Sequence, residues 1–417
     1  MSEALGTRSS PDCGVVPPPG SGSGVSVPAT VALSQPTLIE DERCFTPAER
    51  WALWFSNPRR LLGRCEPSPP APNWMDASLL MDRLRLGARW GFLQDNFPED
   101  VCAEFATLLR NARREAAALN LMMETEQQQV LSQLRAAGLS AFAIKGVALA
   151  RILHGDPAAR HVSDIDLAIP QGELADAARV LAGESYRVLL PQELLRRRSF
   201  LNSANVNTAE AGAVKQGISG RVLVEMHWKL FPYDNGAAWP TEAYHDVQVA
   251  ALPPTHYFLY LAQRLAAHGW TDLSKLCDLG DFLLRHATRL NASLFWQLAA
   301  RHGQRRGVSI SLELLTDIFG ITWTQAQPTG EDRFMAKQFL RRPLLRKWNG
   351  TPAEYHAEQR RITEGALRRV SMALRLLRPT KEEWVRGEGV RSAVGAWAWR
   401  QWRLAKMAAG VGSRSEE

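Results

Sequence analysis

Two aspartates separated by one residue, Asp164 and Asp166, stand inside the apolar run SDIDLAI. Asp is depleted in strands, so a pair within such a run calls for a reason. Residues i and i+2 of a strand leave the same face, about 6.6 Å apart along the chain. Two carboxylates held that close are unfavourable unless a cation sits between them, and a divalent metal ion answers that need most directly. The plainer alternative is a pair of strand-end aspartates that cap a turn or line a surface edge.

The elements around the pair are ordered as a site requires. A helical pattern over residues 100–137 ends at Gly138 and leads into a short apolar strand, 141–144. Lys145 and Gly146 follow, then a helix over 147–153. A glycine at that point permits a tight turn and close approach of an anion to the backbone, with the unpaired N–H groups of the helix start nearby. The strand 165–169 comes next, then a helix from Gln171 ending near Gly183 and a short strand over 186–190. Arg196, Arg197 and Arg198 form either a solvated face or a phosphate contact. Gly217 and Gly220 frame a turn before the alternating strand 221–228, which puts Leu223, Glu225 and His227 on one face and Val222, Val224, Met226 and Trp228 on the other. Glu225 therefore joins the aspartates if its strand pairs beside theirs. His227 either reaches the site or is a hydrogen-bonded core histidine.

This arrangement resembles the nucleotidyltransferase superfamily of DNA polymerase beta type, and within it the poorly characterised bacterial branch, over about residues 105–320. The family's strand, glycine turn and helix look like 141–153, its Asp-x-Asp strand like Asp164 and Asp166, and its third carboxylate like Glu225 in RVLVEMHWKL, which also resembles the branch's acid-x-His-Trp signature. Arg160 stands where the branch often has an arginine. The superfamily's second Gly or Ser after the first Gly is replaced here by Val147. The resemblance implies an α+β fold, a small mixed-sheet nucleotidyltransferase core with helical N-terminal and C-terminal additions. It implies transfer of a nucleoside monophosphate from an NTP, with Mg2+ as cofactor held by Asp164, Asp166 and Glu225. The reaction needs attacking oxygen, phosphorus and leaving group nearly in line, with two metal ions about 3.5–4 Å apart neutralising the charge. Lys145, Gly146, Arg160 and His227 become nucleotide-binding candidates; Lys145 either neutralises leaving phosphates or pairs with an aspartate.

The chain of 417 residues carries a formal net charge of +7, which permits an anionic partner without selecting one, and no specific nucleic-acid partner is expected. Its five cysteines are scattered without metal-site or disulfide spacing, and neither a leader peptide nor a membrane span is evident, so a cytoplasmic location is expected. Composition divides the chain into a disordered segment 1–36, a helical region 37–104, the core 105–250, a helical domain 251–379 and a basic, Trp-rich tail 380–417. Thr46, Pro47 and Glu49 read as a capped helix start, and Trp51, Trp54 and Phe55 as its core face. In the helical domain, His268 and Asp278 either contact a base, sugar or acceptor or pack helices, and further helices follow over 291–303, 309–319, 331–340 and 353–377. The segment 391–408, with Trp397, Trp399 and Trp402, reads as a helix docked on the N-terminal aromatic segment, or as one lying weakly on a membrane surface.

Function narrows to a metal-dependent nucleotidyltransferase acting on an unidentified hydroxyl or phosphate acceptor, whether small molecule, peptide or protein. The family setting suggests surface polysaccharide or modified-peptide biosynthesis. The alternatives are a catalytically inactive nucleotide-fold binding protein and a membrane-peripheral scaffold. Because the two aspartates repel one another, changing either to Asn is expected to spare folding.

Overall fold

The computed structural model describes residues 28–36, 45–62, 68–93, 101–203, 209–217, 220–231, 234, 238–326, 328–340 and 401–402. Strand β1 (Val31–Leu33) precedes helices α1 (Pro47–Ser56), α2 (Trp74–Leu84) and α3 (Gly87–Phe92). A 34-residue helix, α4 (Ala103–Ala136), leads to β2 (Phe142–Ala143), α5 (Gly146–His154) and β3 (Ile165–Ala168). Then come α6 (Leu174–Gly183), β4 (Arg187–Val188), α7 (Gln192–Arg196), α8 (Arg198–Ser203) and the long hairpin of β5 (Glu210–Gly217) and β6 (Gly220–His227). A small hairpin, β7 (Glu242–Tyr244) with β8 (Val249–Ala251), opens the helical part: α9 (Pro254–Ala267), α10 (Leu273–His286), α11 (Ala292–Arg301), α12 (Arg305–Phe319), β9 (Ile321–Trp323) and α13 (Gly330–Leu340).

The central sheet has the order β2-β3-β6-β5-β4, with β3 and β6 parallel and every other pair antiparallel. It is the small mixed sheet expected of the α+β class, flanked by helices at both ends of the chain. Helices α5 and α6, the second half of α4 and the apolar face of β3 and β6 enclose one core, in which Val130, Leu134, Ile165, Leu167, Val224 and Met226 are buried. A second core joins α1–α3 to α9, α10 and α12. Helix α4 runs through both: Phe105 and Leu109 belong to the helical core, Met123 and Val130 to the sheet core. The sheet and the helical body are thus tied by one continuous rod, and whatever site lies between them is positioned by it.

Local signals explain the start of the helical body. Thr46 and Glu49 form a reciprocal cap on α1: the Glu49 N–H donates to Thr46 Oγ1 at 3.2 Å and the Thr46 N–H to Glu49 Oε2 at 3.0 Å. Trp51 is fully enclosed, stacked on Phe55 and edge-on to Trp74, Trp90 and Phe105. The helix expected over 353–377 and the tail helix over 391–408 lie outside the described residues, apart from Gln401 and Trp402.

Several elements differ from the sequence expectation, the β7–β8 hairpin and β9 among them, since no strand was expected there. Val31–Leu33, inside the segment expected to lack structure, pairs antiparallel with β9 some 290 residues later. Strand β5 was not anticipated, and the strand expected over 186–190 contracts to Arg187–Val188. The β1–β9 pairing depends on Gly320, which ends α12 at φ 63° and brings its Cα against the Ser34 carbonyl: an added Cβ would lie 1.9 Å from that oxygen. Gly320→Ala is therefore expected to cost more than the ~1–2 kcal/mol of a left-handed non-glycine residue, since β1 must also move off β9. Denaturant melts of the variant, with limited proteolysis near residue 33, measure this; an unchanged midpoint would show the β1–β9 pairing to be dispensable.

Candidate active site

The parallel register of β3 and β6 sets Asp166 beside Glu225 and Ala168 beside His227, so both acids and the imidazole leave the same side of the sheet. Asp164 lies one residue before β3 begins, two positions from Asp166. On the other flank, β5 pairs with β6 so that Glu210 faces His227. Gly146 closes the site from the N-terminus of α5. Its φ is +61°, and an added Cβ would come within 3.1 Å of the Asp164 carbonyl oxygen and 3.4 Å of Val162 Cγ1. Glycine is needed here so that the turn can lie directly on the backbone that carries Asp164.

Asp166 is the buried centre, 2% exposed. Its Oδ1 accepts from His227 Nε2 at 2.8 Å and also pairs closely with Lys145 Nζ. His227 Nε2 is 3.5 Å from Glu225 Oε2, and its Nδ1 is 3.7 Å from Glu210 Oε2. Burial works against the Asp166 charge, but Lys145 and His227 outweigh it and hold the carboxyl well below the usual range. Burial and Lys145 push the His227 imidazole down, and Asp166 with Glu225 more than restore it, so its pKa is raised. Glu225 is lowered by the adjacent His227 ring, against burial. Asp164 behaves in the opposite way to Asp166: burial, then Asp166 and Glu225, push its carboxyl up, and among the described residues its side chain accepts from Ser163 Oγ at 3.3 Å. The two aspartates that look alike in the sequence thus stand in different electrostatic states.

One carboxylate oxygen each from Asp166 and Glu225 and one ring nitrogen of His227 lie within 4.8 Å of one another, a donor set able to chelate a divalent ion. Asp164 stands outside that group but within reach of the fields of Asp166 and Glu225. The remaining candidates separate. Lys145 is committed to Asp166, the pairing weighed above as its structural role. Arg160 is turned away from the carboxylates toward α10, where its Nε lies 3.2 and 3.1 Å from the two oxygens of Asp278. That bond also accounts for Asp278 as a helix-packing residue. His268 caps the end of α9 and accepts from Arg264 Nη2 at 3.2 Å. A separate cavity of about 720 Å³ along the outer edge of β2, lined among others by Gln127, Ala143 and Arg151, contains none of these groups.

Glu210 is the site residue that sequence reasoning missed. The signal was hairpin length: a turn at Gly217 and Gly220 before an eight-residue strand requires a partner of similar length, which begins at Glu210.

A mixed sheet with carboxylates presented from adjacent parallel strands, beside a glycine-opened helix, is the frame of a nucleotidyltransferase-like protein. The chain belongs to the uncharacterised nucleotidyltransferase family, whose model matches residues 86–320. No curated protein and no solved structure matches it. Among the described residues no helix is long and apolar enough to cross a membrane.

Proposed function

We propose that the protein is a Mg2+-dependent nucleotidyltransferase that moves a nucleoside monophosphate from an NTP to a hydroxyl or phosphate on an acceptor, whether small molecule, peptide or protein. The observation that carries this reading is the register pair Asp166 and Glu225 on neighbouring parallel strands, with Asp164 two residues upstream. Asp164, Asp166 and Glu225 would hold the metal. A divalent ion bound there supplies charge neutralisation for the phosphates and for the leaving pyrophosphate. The acceptor oxygen forms a bond to the α-phosphorus as the bond to the bridging α–β oxygen breaks, and pyrophosphate leaves with that oxygen. Glu225, less enclosed than Asp166, accepts the proton of an incoming hydroxyl. His227 orients Asp166 through its 2.8 Å hydrogen bond. Gly146 lets the backbone at the start of α5 approach the nucleotide.

The test is transfer from each of the four α-labelled NTPs to panels of sugar phosphates, peptides, RNA and the protein itself, with Mg2+ and with chelator. Label is expected on one acceptor class, only with the metal, and is expected to be lost in Asp164→Asn and Glu225→Gln. NTP binding that is indifferent to Mg2+, with no transfer to any acceptor, would replace this reading by that of a nucleotide-binding protein without catalysis.

A further inference from the structure

The cavity along the outer edge of β2 is an elongated groove. Helix α4 lines it from Glu124 to Arg135, eleven residues on, which is about 16 Å at 1.5 Å per residue. The turn of the β7–β8 hairpin, Asp246 to Ala250, supplies a second wall, and Ala141, Phe142 and Ala143 line it from the sheet. About five extended residues, at roughly 3.3 Å each, span that length.

Strand β2 ends the sheet and is bonded only to β3. The Ile144 N–H donates to the Asp166 carbonyl at 3.1 Å, directly opposite in the antiparallel register, so this pair and Phe142 with Ala168 are the hydrogen-bonded ones. In such a ladder the alternate residues turn their N–H and C=O away from the partner strand. Those residues are Ala141 and Ala143. Both line the groove, and neither main chain has a hydrogen-bond partner among the described residues. Gln127 is a second, independent observation. It is 7% exposed and lines the same groove, and its amide makes no hydrogen bond among the described residues. A buried amide without a partner costs stability in the free protein, and an occupant of the groove would supply that partner.

The charges around the groove are paired with one another. Arg151 holds Glu124 through Nε at 2.8 Å and Nη2 at 2.7 Å, and its Nη1 donates to the Gly155 carbonyl at 2.9 Å. Arg285 Nη2 donates to Asp246 at 3.2 Å, and Arg135, at the far end, is exposed. Among the described residues, then, the interior offers a phosphate or a metal ion no unpaired counter-charge. It offers strand-edge donors and acceptors, one side-chain amide and the apolar sides of Leu131, Ala148 and Val249. An extended peptide main chain fits this in length, in neutrality and in the alternation of its donors and acceptors.

We propose that the groove binds an extended, uncharged segment of a separate peptide or protein, which adds to the sheet as a strand beside β2. Alternate residues of the segment bond the main chain of Ala141 and Ala143, and the Gln127 amide bonds a further main-chain group. Ala143 is enclosed and Ala141 half-buried, so the segment enters from the Ala141 end. The site is separate from the carboxylates and does not depend on the nucleotidyl-transfer reading.

The experiment uses the full chain and an array of N-acetylated, C-amidated hexapeptides built from Ala, Val, Ser, Thr and Gln. Affinities of the retained peptides are read by fluorescence polarisation, and amide hydrogen exchange by mass spectrometry. A subset is expected to bind and to slow exchange over residues 141–144. N-methylation of a bound peptide is expected to weaken it on the order of tenfold at every second residue and within about twofold at the residues between. Gln127→Leu is expected to weaken the same peptides on the order of tenfold without lowering the melting temperature of the free protein, since an apolar group of similar size replaces an unpartnered buried amide. No binding by any peptide of the array, equal effects of N-methylation at successive residues, or full affinity in Gln127→Leu would overturn the site. Free nucleosides are the remaining arm: if they slow exchange over 141–144 and the peptides do not, the added strand is ruled out and the cavity belongs to a heterocyclic base.

Discussion

Asp166→Asn is expected to lower nucleotidyl transfer on the order of 100-fold or more and, in the same protein without metal, to lower the melting temperature. The first effect follows from removing the charge at the buried centre of the donor set. The second reverses the expectation drawn from the sequence, where two aspartates seemed only to repel each other. Asp166 is enclosed and engaged by Lys145 and His227, so the Asn variant strands an ammonium and an imidazole rather than relieving strain. Breaking a buried ion pair costs about 3–5 kcal/mol, and the lower end is expected because the Lys145 side chain, 19% exposed, can turn toward water. Asp164→Asn should also lose transfer but keep or slightly raise the melting temperature, because burial, Asp166 and Glu225 already push its carboxyl up.

The pH dependence separates the two aspartates. Asp166 has a depressed pKa in the folded state, so on acidification the unfolded chain takes up its proton first. Its contribution is complete above the ordinary carboxylate range, near pH 4, and is lost as the pH falls through the lower folded value. Asp166→Asn should therefore flatten the acid limb of the stability curve, whereas Asp164→Asn should not. Thermal melts across about pH 3–7, with transfer measured on a proven acceptor, check both halves. Wild-type transfer by both variants would sink the mechanism, and an unchanged melt for Asp166→Asn would show that Lys145 does not depend on this carboxylate.

Much of the candidate site's framework was legible because its signals are local. Asp164 and Asp166 interrupt an apolar run, Gly146 punctuates a strand and a helix, and Thr46 with Glu49 caps α1 through bonds spanning three residues. Strand β5 was not legible for an equally local reason. Of its four buried positions three are Ala211, Gly212 and Ala213, residues depleted in strands, with Val214 the one strand former, and its pairing with β6 supplies what the sequence lacks. Nothing near Val31 indicates a partner at Trp323, because that pairing is decided by how the helical body closes.

The side-chain partners were the hardest part to read. His227 had two readings, a group that touches the site or a bonded core residue, and in the structure they coincide: the ring is 3% exposed and donates to Asp166. Lys145 and Arg160 are both cations near the aspartates in sequence, yet one pairs with Asp166 and the other with Asp278, since Arg160 lies on the loop that α10 covers. Asn120 on α4 fixes the same loop by donating to the Arg160 carbonyl at 2.7 Å. The position of Asp164 thus depends on two helices that are remote in the chain, and no spacing rule within residues 142–170 contains that information.

The largest loss of stability from a residue outside the site is expected at Asp281. Its two carboxylate oxygens face the Arg89 guanidinium, with Nη2 at 3.1 Å from Oδ1 and Nη1 in close contact with Oδ2. Burial opposes the charge on Arg89, and Asp281 followed by Cys277 outweighs it, so the guanidinium remains charged. The same Nη2 donates to the Ser56 carbonyl at 3.1 Å, and Trp90 Nε1 donates to Ser56 Oγ at 2.8 Å, so α1, α3 and α10 meet at this point. His154, at the end of α5, lies 3.4 Å from Asp281 through Nε2 and is pushed down to about 3, chiefly by burial and then by Arg89, so it stands as a neutral ring and leaves Asp281 as the charge that faces the guanidinium. Asp281→Ala leaves a guanidinium with 7% side-chain exposure and no anion, which is expected to cost about 3–5 kcal/mol. The double variant Arg89→Met with Asp281→Leu removes both charges at similar volume and is expected to recover most of that loss. Urea melts of the wild type, the single variant and the double variant measure the difference. A single variant within about 1 kcal/mol of wild type would mean that the pair contributes no more than an exposed one, while a double variant as unstable as the single would place the cost in packing rather than in the stranded charge.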